Sequence, residues 1–387
     1  MERILDDEKC CGCHACFNAC PKKAIEMVND NKGFKNPIIS KDKCIDCNLC
    51  KKVCPVLNSK DYKYDSIAYA CYNKNNDERM NSSSGGIFIL IAKEIISRGG
   101  VVFGASYDSD YIVKHIEVSS IEDLPKLMGS KYVQSTIGDT YKRAKELLEK
   151  EMYVLFTGTP CQIEGLKSFL IKDYPKLITQ DIICHGVPSP KVWEKYKNYR
   201  KQTDINKKPV SISFRSKDRG WTSYDIKFSY DTKTYSVNHK EDLYMQAFLW
   251  DISLMDACFE CNFKKKSRIS DITLGDYWGV ENIHEDLFDD KGISLVIIHS
   301  NKGVDLFNSI KCGIIYKKTD LDTAISYNSA MICSTKPGKN REKFFSDIEN
   351  YDFDKLIKKY VEKYSIKWKC KSKIKNFVKR LIKKERK

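Results

Sequence analysis

A chain of 387 residues is too long for one ordinary core and is expected to divide into two or three domains, each burying its own apolar surface. The longest apolar runs, such as residues 87–92, are too short to span a bilayer, and the start has no basic segment followed by an apolar core, so a cytoplasmic protein is expected. A net charge of +15 suggests nucleic acid, but residues 367–387 hold eleven Lys or Arg against the single acid Glu385, which leaves a mildly basic body and argues against a nucleic-acid partner.

Seventeen cysteines would suggest disulfides in a small exported chain; here eleven fall into tight groups, which points to metal ligation. Cys10, Cys13, Cys16 and Cys20 followed by Pro21 form Cys-x2-Cys-x2-Cys-x3-Cys-Pro, and Cys44, Cys47, Cys50, Cys54 and Pro55 repeat it. Three thiolates two residues apart can wrap one face of a cubane, while the fourth reaches across to a second cluster. The spacing therefore assigns Cys10, Cys13, Cys16 and Cys54 to one [4Fe–4S] centre and Cys44, Cys47, Cys50 and Cys20 to the other. Structural zinc pairs two short hooks across a longer spacer, and a third cysteine two residues on does not suit it. Cys11, between ligands, is expected to be a non-ligand. Residues 24–28 and 34–39 read as short strands covering the clusters, completing a ferredoxin-like two-cluster domain over 1–58.

A polar linker over 58–65 leads into alternating signals: strands at 66–72, 101–107, 153–157 and 178–184, and helices at 87–98, 137–150, 161–171 and 190–202. Residues 66–205 are read as an α/β region on a mixed sheet. From 206 to 350 the pattern is strand-rich, with a meander over 211–216, 224–230 and 233–238 and a helix over 241–252. The fold class expected is thus α+β, with the ferredoxin-like two-cluster domain followed by a mixed α/β domain.

Four more cysteines stand where ligands would stand. Cys161 follows Pro160 at a helix start, Cys184 ends a strand, and Cys258 with Cys261 forms a Cys-x-x-Cys hook. Strand carboxyl ends share one edge of an α/β sheet, so these four could converge on a third [4Fe–4S] cluster. Buried core thiols and an empty hook are the competing reading. The run Ser82-Ser83-Ser84-Gly85-Gly86 stands before an apolar helix, where backbone amides favour a pyrophosphate, although serines there also serve as ordinary helix caps. No Walker sequence or Gly-x-Gly-x-x-Gly accompanies it.

The tail over 351–387 is expected to be helical and basic. Cys370, Ile374, Phe377 and Leu381 recur on one helix face, which suits an anionic membrane surface or an acidic partner; a solvated, frayed terminus is the other reading.

The serine–glycine run, Gly129-Ser130-Lys131-Tyr132-Val133-Gln134-Ser135, Phe156-Thr157-Gly158-Thr159-Pro160-Cys161-Gln162, Cys184-His185-Gly186-Val187-Pro188, Cys258-x-x-Cys261 and Asp271-Ile272-Thr273-Leu274-Gly275-Asp276-Tyr277-Trp278-Gly279 occur in order. Together they resemble the beta-subunit family of coenzyme F420 hydrogenases and dehydrogenases. The resemblance implies FAD, an adjacent [4Fe–4S] cluster on Cys161, Cys184, Cys258 and Cys261, and hydride or electron exchange with a substrate. It implies that Ser83, Ser84, Gly85, Gly86, Lys131, Tyr132, Gly158, Thr159 and Pro160 approach the flavin. It also places His185, Lys131 and Asp276 as candidate catalytic groups, His185 alternatively supporting Cys184, and Trp278 beside Asp276 at the pocket.

The function expected is an FAD- and iron–sulfur-dependent oxidoreductase passing electrons from ferredoxin-type clusters to a hydride-accepting or reducible substrate, or to a redox partner protein. A flavin-free electron-transfer subunit or carrier docking a redox partner is the alternative. Thiol–disulfide chemistry at Cys258 and Cys261 lacks the strand–hook–helix setting of thioredoxin-like motifs. Cys184 and His185, as neighbours on a strand end, would project apart and do not suit a protease.

Overall fold

The computed structural model describes residues 3–361, so of the tail expected to be helical over 351–387 the part from 362 on lies outside the described residues. The N-terminal domain is built from α1 (Ala15–Ala19), β1 (Ile25–Asn29), β2 (Lys35–Ile39) and α2 (Leu49–Lys52). β1 and β2 form an antiparallel hairpin, and the Asp30 carboxylate accepts the N–H groups of Lys32 and Phe34 in its turn. The cysteine repeat is also a backbone repeat. Gly12 and Asp46 hold φ of 60° and 52°, and His14 and Asn48 hold 63° and 54°, in the same positions of the two loops. These left-handed residues turn each loop so that a short helix opens just before its third cysteine.

The rest of the chain runs β3 (Ile67–Asn73), α3 (Asn76–Met80), α4 (Ile87–Ser97), β4 (Val101–Tyr107), β5 (Val113–Val118), α5 (Thr140–Glu149), β6 (Val154–Thr157), α6 (Pro160–Leu170), β7 (Leu177–Ile182) and α7 (Pro190–Thr203). A meander, β8 (Ser211–Ser216), β9 (Asp225–Ser229) and β10 (Thr234–Asn238), precedes α8 (Leu243–Leu249). Then come β11 (Ile272–Asp276), β12 (Ser294–Ile298), α9 (Asn301–Ile310), β13 (Ile314–Thr319), α10 (Leu321–Ser326), α11 (Arg341–Ser346) and α12 (Phe353–Tyr360).

Eight strands form one mixed sheet in the order β13-β3-β12-β11-β7-β6-β4-β5. β4, β6, β7 and β11 are parallel, while β5 on one side and β12, β3 and β13 on the other pair antiparallel. Side chains alternate across it: Val102 and Leu155 pack with Ile91, Ile95 and Leu306 under α4 and α9, whereas Phe103 and Phe156 pack with Tyr141, Ile163 and Leu166 under α5 and α6. A separate aromatic core, centred on Trp193, Phe214 and Tyr244, joins α7, α8, the meander and α12. Cys13, Ala15 and Val53 of the N-terminal domain belong to the same packed cluster as α5 and α6.

The structure departs from pattern in two instructive places. The strand expected over 178–184 stops at Ile182, so Cys184 stands in the following loop. Strands β5, β11, β12 and β13 lie beyond those the pattern supplied; β12 is buried at every position and has no polar–apolar alternation to reveal it. β3, the parallel strands and the start of β12 all meet one edge of the sheet, where the loops carrying the candidate residues emerge.

Candidate redox centres and cofactor cleft

Two small cavities, of about 20 and 30 Å3, sit in the N-terminal domain. Cys10, Cys13, Cys16 and Cys54 line one; Cys20, Cys44, Cys47 and Cys50 line the other. Each fourth cysteine thus crosses to the opposite triplet. Backbone N–H groups point at sulfur, Gly12 to Cys10 Sγ at 3.4 Å and Ala24 to Cys20 Sγ at 3.2 Å; burial nevertheless pushes the Cys10 thiol up to about 12, against the pull of the Gly12 N–H. Among the described residues no three His, Cys, Asp or Glu side chains close on the position of a single metal ion. A cubane makes a different demand, one thiolate at each corner of a cavity, and these linings fit it.

Cys161, Cys184, Cys258 and Cys261 come together at the sheet edge. Cys161 opens α6; Thr159 caps that helix in a capping box with Gln162 and brings its hydroxyl 3.1 Å from Cys161 Sγ. The loop after β7 folds over the hook, so that the Val187 N–H points at Cys258 Sγ at 3.4 Å and a Cβ on Gly186 would stand 3.5 Å from that of Cys258. Burial pushes the Cys184 thiol up to about 12, and the charges of Cys161 and Cys261 push the same way. Burial likewise raises Cys258, with Cys184, Cys161 and Cys261 adding to it. Burial raises Cys261 as well, whereas hydrogen bonds from Cys11 and Thr159 hold Cys161 low; four converging buried sulfurs of this kind suit a cationic metal cluster better than they suit a core. Cys11 lies within hydrogen-bond reach of both Cys13 and Cys161, so it links the first N-terminal cavity to this group.

Cys11 and Cys161 also line a cleft of about 330 Å3, together with Ser83, Ser84, Gly86, Lys131, Tyr132, Gly158, Thr159 and Asp276. Two sequence motifs meet on its wall: Ser83 Oγ accepts the Ser130 N–H at 2.7 Å and the Ser130 hydroxyl at 2.9 Å. Gly85 does not face the cleft. A Cβ there would stand 2.4 Å from the Cys71 carbonyl oxygen, so glycine lets this loop lie flat on β3 and β12. Pro160 is buried in the first turn of α6.

The electrostatics of the cleft are prepared by Lys131 together with Lys217 and His115, two residues no motif announced. Lys217 Nζ donates to the carbonyls of Arg79, Ser84 and Lys291 at 2.7, 2.6 and 2.7 Å. Burial pulls its pKa to about 7, but three carbonyl acceptors require three N–H groups, which only the ammonium has. Desolvation likewise brings Lys131 to about 7, with its Nζ on the Met128 and Gly129 carbonyls. Buried His115 bridges Ser135 Oγ at 2.7 Å and the Thr157 carbonyl at 2.9 Å; the carbonyl can only accept, so Nε2 carries the proton and Nδ1 accepts from Ser135. Burial holds His115 down to about 4.

Asp276 is held by both guanidinium nitrogens of Arg215, at 2.8 and 3.2 Å, and by Trp221 Nε1 at 2.8 Å. Arg215 lies over the Tyr224 ring, and Trp278 stacks on Trp221. His185 stands outside the cleft, its Nε2 2.6 Å from Asp251 Oδ1 and its carbonyl bound by Lys264.

Two buried atoms test the fit of a planar heterocycle. Gln134 Oε1 accepts the Lys35 N–H, which fixes its amide and leaves Nε2 without a partner; Gln180 Oε1 is also without one. Both residues line the cleft beside Cys11 and Cys161. One free donor and one free acceptor match the mixed polar edge of a flavin ring, and buried groups of this kind call for a ligand or water.

Residues 151–324 match the family described as the C terminus of coenzyme F420 hydrogenase/dehydrogenase, beta subunit, and residues 3–60 match the 4Fe-4S dicluster domain. Over those 174 of its 387 residues the chain is similar to this beta-subunit family. The dicluster match makes it an iron–sulfur electron-transfer protein, related over residues 151–324 to hydrogenase and dehydrogenase beta subunits. A similar solved chain is in the xenon-derivatized F420-reducing [NiFe] hydrogenase complex from Methanosarcina barkeri, 15% identical with a TM-score of 0.45, covering 77% of this chain and 92% of that one. No curated protein matches the chain. No helix among the described residues is long and apolar enough to cross a membrane.

Proposed function

We propose that this chain is an iron–sulfur flavoprotein oxidoreductase, with a further [4Fe–4S] cluster on Cys161, Cys184, Cys258 and Cys261, FAD in the adjoining cleft, and a hydride-accepting or otherwise reducible substrate. The observation that carries the reading is the position of Cys161, which belongs to the four-thiol group and to the cleft wall at once. When bound, a flavin supplies the exchange between single electrons and a hydride pair.

The chain's own residues have distinct tasks in this reading. Ser83, Ser84, Gly86, Gly158 and Thr159 present small side chains and backbone along the cleft, with the Lys217 ammonium behind Ser84 favouring an anionic pyrophosphate. Gln134 and Gln180 orient a ring at the end nearest the thiols. Lys131, poised near neutral pH, holds or releases a proton at the wall. Asp276 sets Arg215 and His185 supports the Cys184 loop through Asp251; both are positioning residues.

Anaerobic purification with iron, sulfide and flavin analysis tests the proposal. Three cubanes predict about twelve iron atoms per chain, accompanied by one FAD. Full iron with no retained or rebound flavin would favour the flavin-free relay instead.

A further inference from the structure

The two N-terminal cavities face opposite surroundings. The one lined by Cys10, Cys13, Cys16 and Cys54 is turned inward: Cys13 and Cys54 are buried, and the neighbouring Cys11 reaches Cys161. The other opens outward. Cys47 is exposed, and beside it Ile45 is 55% exposed, an apolar side chain presented to solvent over the cavity.

The outward cavity is ringed by lysine. Lys22 and Lys23 follow Cys20, Lys41 and Lys43 precede Cys44, and Lys51 and Lys52 follow Cys50; all six are exposed. Among the described residues none of the six forms an ion pair, although surface lysines elsewhere in the chain commonly do, as Lys126 with Asp123 and Lys355 with Asp352. Acids in these loops are Asp42 and Asp46, and Asp46 accepts from the Cys44 thiol at 3.6 Å. Six lysines against two acids around an exposed apolar centre form a surface with an apolar middle and a basic rim.

We propose that this lysine-ringed face over Cys20, Cys44, Cys47 and Cys50 is the docking site of an acidic protein electron carrier, of the ferredoxin or flavodoxin class. The rim steers a negatively charged partner and Ile45 seats against it. An electron crossing there oxidises the carrier by one and reduces the cluster by one, with no bond or proton transferred. The inference rests on the N-terminal dicluster domain and is independent of the flavin.

The test uses the full chain, anaerobically prepared, with a reduced acidic ferredoxin as the probe. A K22E/K43E/K52E variant should react about tenfold or more slowly at low salt, lose most of the salt dependence of the rate, and bind the oxidised ferredoxin more weakly in calorimetry. The K22R/K43R/K52R variant should keep all three properties. Reduction by a small cationic viologen should not slow in either variant, which shows that the clusters are intact. If the charge reversal costs iron, K22Q/K43Q/K52Q serves in its place, with a smaller effect of the same sign. Unchanged rate and salt dependence would overturn the proposal. So would loss of ferredoxin binding on deleting residues 367–387 with no effect of the three lysines, or capture of anionic vesicles through these lysines without any effect on ferredoxin.

Discussion

Gly165 of α6 lies directly against Cys13: a Cβ at position 165 would stand 3.0 Å from both Cβ and Sγ of that cysteine. Cys161 is one turn earlier on the same helix, so α6 sets the distance between the inward N-terminal centre and the second group of thiols. Gly165→Val would force the two apart and should lower stability by about 1–3 kcal/mol, as overpacking does. Thermal unfolding and the magnetic coupling between clusters in electron paramagnetic resonance are the measurements. Unchanged coupling would show that the spacing does not depend on this contact.

Replacing Cys184 by Ala should remove about four of about twelve iron atoms and leave the two N-terminal clusters in place. Iron and sulfide analysis of the variant against wild type decides it, and a full iron count would make Cys184 a core thiol. FAD, measured by release on denaturation, should be retained.

Lys217→Met should leave the carbonyls of Arg79, Ser84 and Lys291 unsatisfied in a buried place and cost about 1–3 kcal/mol. FAD affinity should fall as well, because the loop that Lys217 pins is the one bearing Ser83 and Ser84. Fluorescence titration with FAD reads the second effect separately from chemical denaturation, which reads the first.

His115 predicts a pH dependence. Its folded-state pKa, about 4, lies below the ordinary 6.5, so the neutral ring is favoured on folding and the unfolded chain takes up more protons between those values. The stabilisation is therefore present above pH 6.5 and is lost as pH falls toward 4. Between pH 7 and 5.5 this group alone should cost about 1 kcal/mol, measured by denaturant unfolding under anaerobic conditions. His115→Gln should show a shallower dependence over the same range.

The two cysteine runs were legible because ligand spacing within a short loop is local, and their repeat even reappears in the backbone angles of Gly12 and Asp46. The parallel strands at 101–107 and 153–157 were legible for a related reason, each being a short apolar run bounded by turn residues. Lys217, His115 and Gln180 were not. What Lys217 does is defined by carbonyls at positions 79, 84 and 291, and no window of sequence contains them together. His115 is defined by a hydroxyl 20 residues on and a carbonyl 42 residues on. Cys184 was expected at a strand end and stands beyond it, because the Ile183 N–H to Leu274 carbonyl bond is the last that the pairing with β11 makes.

The place of β3 in the sheet has a consequence for synthesis. β3 follows the N-terminal domain at once in sequence, yet its partners are β12 and β13, more than two hundred residues later. The serine–glycine loop after β3 is likewise fastened by Ile293 and Ser294. The ligands of the N-terminal clusters are complete once residue 54 has left the ribosome, whereas the cleft has no far wall until β12 emerges. Such long-range pairing closes slowly. Metal insertion at the front of the chain can thus precede formation of the cleft by most of the time of translation, and a nascent chain stalled before residue 294 would carry clusters with nowhere to deliver their electrons.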